Sequence, residues 1–96
     1  MAMHNPPHPG EFITEAYLKP LKVSHRSVAL QIGVSPSTFS RLIKGQSCIS
    51  PEMALRLSKC LGRTPESWLT MQDNYNLWQA RQKINLDHIV PLAVGT

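Results

Sequence analysis

The chain has 96 residues, 42% of them hydrophobic and 17% charged, with ten Lys and Arg against six acids for a formal net charge of +4. That length leaves room for one ordinary core and not for two, and the apolar fraction excludes a disordered chain. No apolar run approaches the roughly 20 residues that cross a bilayer, and MAMHNPPHPG has neither the basic nor the apolar region of a secretory leader, so a cytoplasmic protein without membrane contact is expected.

Residues 1–8, rich in proline and polar side chains, are expected to form a flexible arm, with His4 and His8 exposed to solvent and no third ligand near them for a metal. Pro9 opens a first helix expected to run to about Lys19, before Pro20, with Glu11 in its first turn and Ile13, Ala16 and Tyr17 facing inward. Leu21 and Val23 then bridge to the stretch from Ser24 to Gly45, which reads as two short helices joined by a tight turn. Ser24 caps the first, Val28, Ala29 and Ile32 recur at helical spacing, and Gly33 stops it with a residue that tolerates positive φ. Ser35 caps the second, Pro36 takes the first position, where a missing N–H costs nothing, and Phe39, Leu42 and Ile43 form the buried stripe. Its other side is Ser37, Thr38, Ser40, Arg41 and Lys44, all hydrogen-bond donors, two of them cations and none an acid.

This is the pattern of a helix-turn-helix whose second helix enters a DNA major groove. Ala29 is small where the helices approach, and Val34, Phe39 and Leu42 fill the angle between them. The basic excess falls in the same place, because no acid occurs between Glu15 and Glu52 while Lys19, Lys22, Arg26, Arg41 and Lys44 do. Gly45, Gln46 and Ser47 follow as small or polar groups that a phosphate could approach.

Ser50 caps the next helix at Pro51, with Glu52 in the first turn and Ala54, Leu57 and Leu61 inward, flanked by Met53 and Cys60, until Gly62 ends it. Thr64, Pro65 and Glu66 repeat the start signal, and Trp68, Leu69, Gln72, Tyr75 and Trp78 or Gln79 follow at helical steps. The expected fold is all-α, five helices over residues 9–82 with the helix-turn-helix unit at 25–44, and a short extended tail over 83–96. Trp68 and Leu69 are expected to close the core, and Tyr75, Leu77 and Trp78 to form a subunit interface. In the tail, Ile89, Val90, Leu92, Ala93 and Val94 form an apolar run broken by Pro91, expected to pack on this domain or on a second subunit.

Cys48 and Cys60 are not in CxxC spacing and form no zinc set with the scattered histidines, so free thiols are expected, Cys60 in the core, with no metal and no cofactor. GxSxG, HExxH and phosphate-cradling glycine patterns are absent, and His25 beside Ser24 and Ser27 has no orienting acid, so an enzyme is not expected. A helical adaptor would show an exposed apolar groove on the second helix, where this chain has donors instead.

On these residues the chain resembles the Cro/C1-type (XRE) helix-turn-helix family, whose fold is lambda-repressor-like. NPPHPGEFI before the unit and PESWLTMQDNYNLWQAR after it resemble more closely the flanking signatures of HigA/VapI addiction-module antitoxins, and the likeness runs from about Asn5 to Gln82. The resemblance implies the antitoxin of a type II toxin-antitoxin module, repressing its own operon and neutralising an RNA-cleaving HigB-type toxin; the alternative is an orphan repressor with no toxin partner. It further implies that Pro36, Ser37, Thr38 and Arg41 meet bases and that Lys44 and Gln46 lie near phosphates. The helix-turn-helix geometry adds His25 and Arg26 at phosphates, with Ser35 and Ser40 beside them. Arg41 can give guanine O6 and N7 two hydrogen bonds, whereas Pro36 departs from the family habit of a polar side chain, so readout leans on Arg41 and on DNA shape. One head reads few base pairs, so a homodimer on an inverted repeat of double-stranded DNA is expected, nucleoid-associated when bound. Glu11, Glu15, Glu66 and Asp73, outside the basic window, would offer a small basic toxin a more negative face away from DNA.

Overall fold

Every helix start in the computed structural model, which describes residues 5–93, is prepared by the residue just before it. Ser24, Ser35, Ser50 and Thr64 each accept a hydrogen bond from the backbone N–H three residues on, the position expected of an N-cap, and three of the four are followed by proline at the first helical position. The helices so begun are α3 (His25–Ile32), α4 (Pro36–Ile43), α5 (Pro51–Leu61) and α6 (Pro65–Lys83). His4 and Val94 lie outside the described residues.

The first helix is longer than expected. It starts as α1 (Pro9–Ile13), widens into a π-helical turn over Thr14–Leu18, and continues through proline as α2 (Lys19–Leu21). Pro20 has no N–H and its ring crowds the preceding turn, and a helix tolerates it here because the turn before it is opened, with the Lys19 N–H reaching back five residues to the Thr14 carbonyl. The widened turn also shifts the inward stripe: Ala16 is exposed, and Leu18 is buried in its place. Lys22, at φ 56, ends the helix, and the Val23 N–H closes onto the Leu18 carbonyl at 3.1 Å.

The core gathers Ile13, Leu18, Val28, Ala29, Ile32, Phe39, Leu42, Ile49, Ala54, Leu57 and Trp68. Trp68 is wholly buried, and its indole N–H donates to the Gly62 carbonyl at 3.0 Å, so the α5 to α6 turn is held by the largest core side chain. Among the described residues this is an all-α architecture without a strand, as the periodicity indicated. Three expectations need correction. Cys60 is exposed, because the last turn of α5 faces solvent on that side. His8 and Pro6 are buried, so the segment before Pro9 is packed rather than loose from Pro6 onward. Residues 84–93 are exposed throughout, so the tail does not pack on its own domain.

Candidate nucleic-acid interface

The geometry starts with the turn between α3 and α4. Gly33 at φ 80 ends α3, and the Val34 N–H bonds the Ala29 carbonyl at 3.0 Å, which turns the chain sharply into Ser35. Arg56 secures this corner from α5. Its guanidinium donates to the Ile32 carbonyl at 2.6 Å and to Glu52 at 2.9 and 3.2 Å, so a cation sits at the negative end of α3 and satisfies a carbonyl the helix leaves over. Wholly buried Ala29 and Phe39, with Val28 and Leu42 nearly so, fill the angle between the helices.

With Phe39 and Leu42 inward, α4 presents Ser37, Thr38, Arg41 and Lys44 as exposed side chains, while Pro36 and Ser40 are half-buried. The Ser35 hydroxyl accepts from the Thr38 N–H at 3.1 Å and lies 2.8 Å from Thr38 Oγ1 and 3.3 Å from Ser37 Oγ. The three hydroxyls thus form one cluster at the start of α4. Since Ser35 donates to Thr38, the Thr38 proton is left to point outward at an acceptor. Gln46 is exposed just past the helix, its N–H fixed to the Arg41 carbonyl at 2.8 Å. His25 and Arg26 are exposed in the first turn of α3. The two ion pairs among the described residues, Lys19 with Glu15 and Arg56 with Glu52, leave Arg26, Arg41 and Lys44 free of acidic partners.

Behind this surface stands a clamp that sequence reasoning missed. His8 Nδ1 accepts from the Gly10 N–H at 2.9 Å and caps α1, while Nε2 lies 3.0 Å from the Ser47 carbonyl, 39 residues on. Those two bonds require the neutral ring, with Nδ1 accepting and Nε2 donating. The ring also meets Tyr75 edge-on, with centroids 4.9 Å apart. One side chain therefore joins the start of α1, the loop after α4 and the middle of α6. Burial holds the His8 pKa below its ordinary 6.5, against the opposing pull of the Ser47 carbonyl and of Glu11. Gly10 allows the approach, since a Cβ there would strike the Leu42 carbonyl oxygen and lie 2.8 Å from Ile43 Cα and O. The signal in the sequence was a histidine at the cap position directly before a proline.

The remaining expected contacts scatter. Tyr75 is half-buried, committed to His8 and accepting from Gln79 at 3.1 Å, whereas Leu77 is 50% exposed and Trp78 half-buried. Ile89, Val90 and Leu92 are exposed on the tail. Glu11 lines the same cavity as Lys44, so it is not remote from α4 and does not belong to a distal acidic face. Among the described residues no group of three His, Cys, Asp or Glu could hold a metal, and no helix is long and apolar enough to cross a membrane.

A helix-turn-helix family model matches residues 15–69. The chain is 40% identical over 87 residues to virulence-associated protein I of Dichelobacter nodosus, covering 90% of this chain and 81% of that one. It is 35% identical over 74 residues to antitoxin HigA-1 of Vibrio cholerae, covering 77% and 70%. Among solved structures, antitoxin GraA in complex with its operator superposes with a TM-score of 0.86 at 33% identity, over 98% of this chain and 97% of that one.

Proposed function

Because this chain belongs to the Cro/C1-type helix-turn-helix family, we propose that it is a sequence-specific DNA-binding antitoxin that represses its own operon and neutralises a small basic RNA-cleaving toxin. The observation that carries the DNA half of this reading is the outer side of α4, where Ser37, Thr38, Arg41 and Lys44 are exposed together and neither cation is held in an ion pair among the described residues. Arg41 reads a guanine through two hydrogen bonds, Thr38 and Ser37 donate or accept at base edges, and Pro36 packs on the groove wall. Lys44, Gln46, Ser35 and Ser40 meet phosphates on one side, and His25 and Arg26 at the start of α3 meet them on the other.

The protein works as a homodimer, its two heads reading an inverted repeat about one helical turn apart. Leu77 and Trp78 form the centre of the contact, since beyond Gln72 no residue of α6 is fully buried in its own domain and Leu77 is 50% exposed. The toxin half of the reading is supported by the antitoxins among the similar proteins.

Two substitutions separate base reading from phosphate binding. Arg41→Ala weakens operator binding by about 1–3 kcal/mol and relaxes preference at one base pair, while Lys44→Ala weakens all duplexes alike and lowers the salt slope by about one. An Arg41→Ala variant that loses operator and random duplex equally contradicts the assignment. For the toxin, co-expression with the neighbouring reading frame is decisive: the two proteins co-purify and growth is restored, and failure of both leaves a repressor alone.

A further inference from the structure

One stripe of α6 joins the proposed dimer contact to a second surface. Met71 and Asn74 line one wall of a groove of about 400 Å³, Pro6, Pro7 and Phe12 line the other, and Arg63 stands at its end. The same stripe continues at helical steps through Leu77 and Trp78, the centre of the proposed dimer contact. The Arg63 guanidinium lies over the Phe12 ring at 5.2 Å and the Trp68 ring at 5.7 Å, which keeps a positive charge at the groove's far end.

The tail is exposed over residues 84–93 and does not line the groove of its own domain. Leu86 and Ile89 are 54% and 60% exposed, although the segment has local order: Asn85 Oδ1 accepts from the Asp87 N–H at 2.8 Å, and the Ile89 N–H bonds the Leu86 carbonyl at 2.9 Å. The molecule extends 54 Å along one axis against 23 and 21 Å on the others.

Register supplies the occupant. A helix packed on its own copy across a perpendicular two-fold axis meets it antiparallel. With the crossing between Leu77 and Trp78, Ile84 of the partner subunit comes opposite Met71, each about 10 Å from the crossing at about 1.5 Å per residue. Asp87 of the partner subunit lies up to about 10 Å further on at about 3.3 Å per residue. Met71 lies about 9 Å from the start of α6, beside Arg63, at the helical rise. A negative side chain thus arrives at the free cation, and apolar ones at Phe12 and Met71.

Resting on the dimer reading above, we propose that each copy's tail lies in the other copy's groove, with Leu86 and Ile89 on Phe12 and Met71 and Asp87 beside Arg63. The tail then closes over Pro6 and Pro7, so dimerisation covers the segment that carries His8.

The test uses the full chain with Ile89 replaced by the photo-crosslinker p-benzoylphenylalanine, in dimers reassembled from equal amounts of nitrogen-15-labelled and unlabelled protein. Irradiation is expected to give adducts at Phe12 or Met71 that join labelled to unlabelled chains. Separately, Ile89→Asp raises the dimer dissociation constant at least tenfold with unchanged circular dichroism, and Arg63→Asp restores at least part of the affinity lost in Asp87→Arg. Adducts confined within one chain, or adducts away from the groove in a chain that still dimerises, overturn the tail exchange while leaving the dimer standing. A monomer by light scattering at micromolar concentration removes the dimer itself, and the exchange with it.

Discussion

Gly10→Ala is the substitution for which helix propensity and packing make opposite forecasts. Gly10 lies in the first turn of α1, and alanine in a helix is favoured over glycine by about 1 kcal/mol, so propensity alone forecasts a gain. The new methyl, however, would strike the Leu42 carbonyl oxygen and stand 2.8 Å from Ile43 Cα and O, all backbone atoms in the last turn of α4. No rotamer change relieves such a clash. The start of α1 must lift, loosening Pro9 and Ile13 from their fully buried sites. Overpacking usually costs about 1–3 kcal/mol and more where nothing yields; against backbone on the far side the cost is taken at or beyond the top of that range, about 3–5 kcal/mol, so after the propensity gain of about 1 kcal/mol the net loss is about 2–4 kcal/mol. At about 4–8 °C per kcal/mol for a domain of this size, the melting temperature should fall by at least about 8 °C. Thermal melts followed by circular dichroism, with the fluorescence of Trp68 and Trp78 together as a second probe, measure it. Gly45→Ala is the control: its methyl would meet the His8 ring at an ordinary 3.7 Å, and only its φ of 76 opposes it, at about 1–2 kcal/mol. A melting temperature for Gly10→Ala equal to or above the parent's refutes the close seat of α1 on α4.

Protonation of His8 should destabilise the fold. The folded pKa lies below 6.5, so below pH 6.5 the unfolded chain binds the proton more readily, and stability falls with pH until the folded pKa is passed, where it levels. Urea midpoints measured from pH 7.5 downward should therefore decline more in the parent than in His8→Ala, and parallel profiles would remove the clamp. In α6, Gln72 Oε1 accepts from the buried Ile49 N–H at 2.9 Å. Gln72→Met keeps the volume and deletes the acceptor, so the urea midpoint should drop by the equivalent of about 1–3 kcal/mol, and an unchanged midpoint would show that Ile49 finds another partner.

The parts legible in the sequence are those set by near neighbours. Ser24, Ser35, Ser50 and Thr64 cap the helices they precede because the geometry involves only the next three residues. The inward positions of Phe39 and Leu42, and so the outward side of α4, follow from one helical period. Features that depend on distant packing were hidden. His8 acquires its role from Ser47 and Tyr75, Gly10 from the Leu42 carbonyl, and Arg56 from the end of α3. Gln72 was placed on the inward stripe of α6 by its spacing, but its partner Ile49 lies 23 residues away. Pro20 looked like a helix end because the widened turn that accommodates it has no local signature. The apolar tail was recognisable as unusual, and its exposure now directs attention to a second copy.

In the proposed function two copies of this chain read a defined DNA sequence through α4. Repeated selection of duplexes from a random pool by the purified full-length protein, with the recovered DNA sequenced, tests it most directly. The expected product is an inverted repeat with half-sites about one helical turn apart, containing a guanine whose enrichment disappears when Arg41→Ala is used for the selection. Recovery of no shared sequence, or of one unaltered by Arg41→Ala, would contradict it.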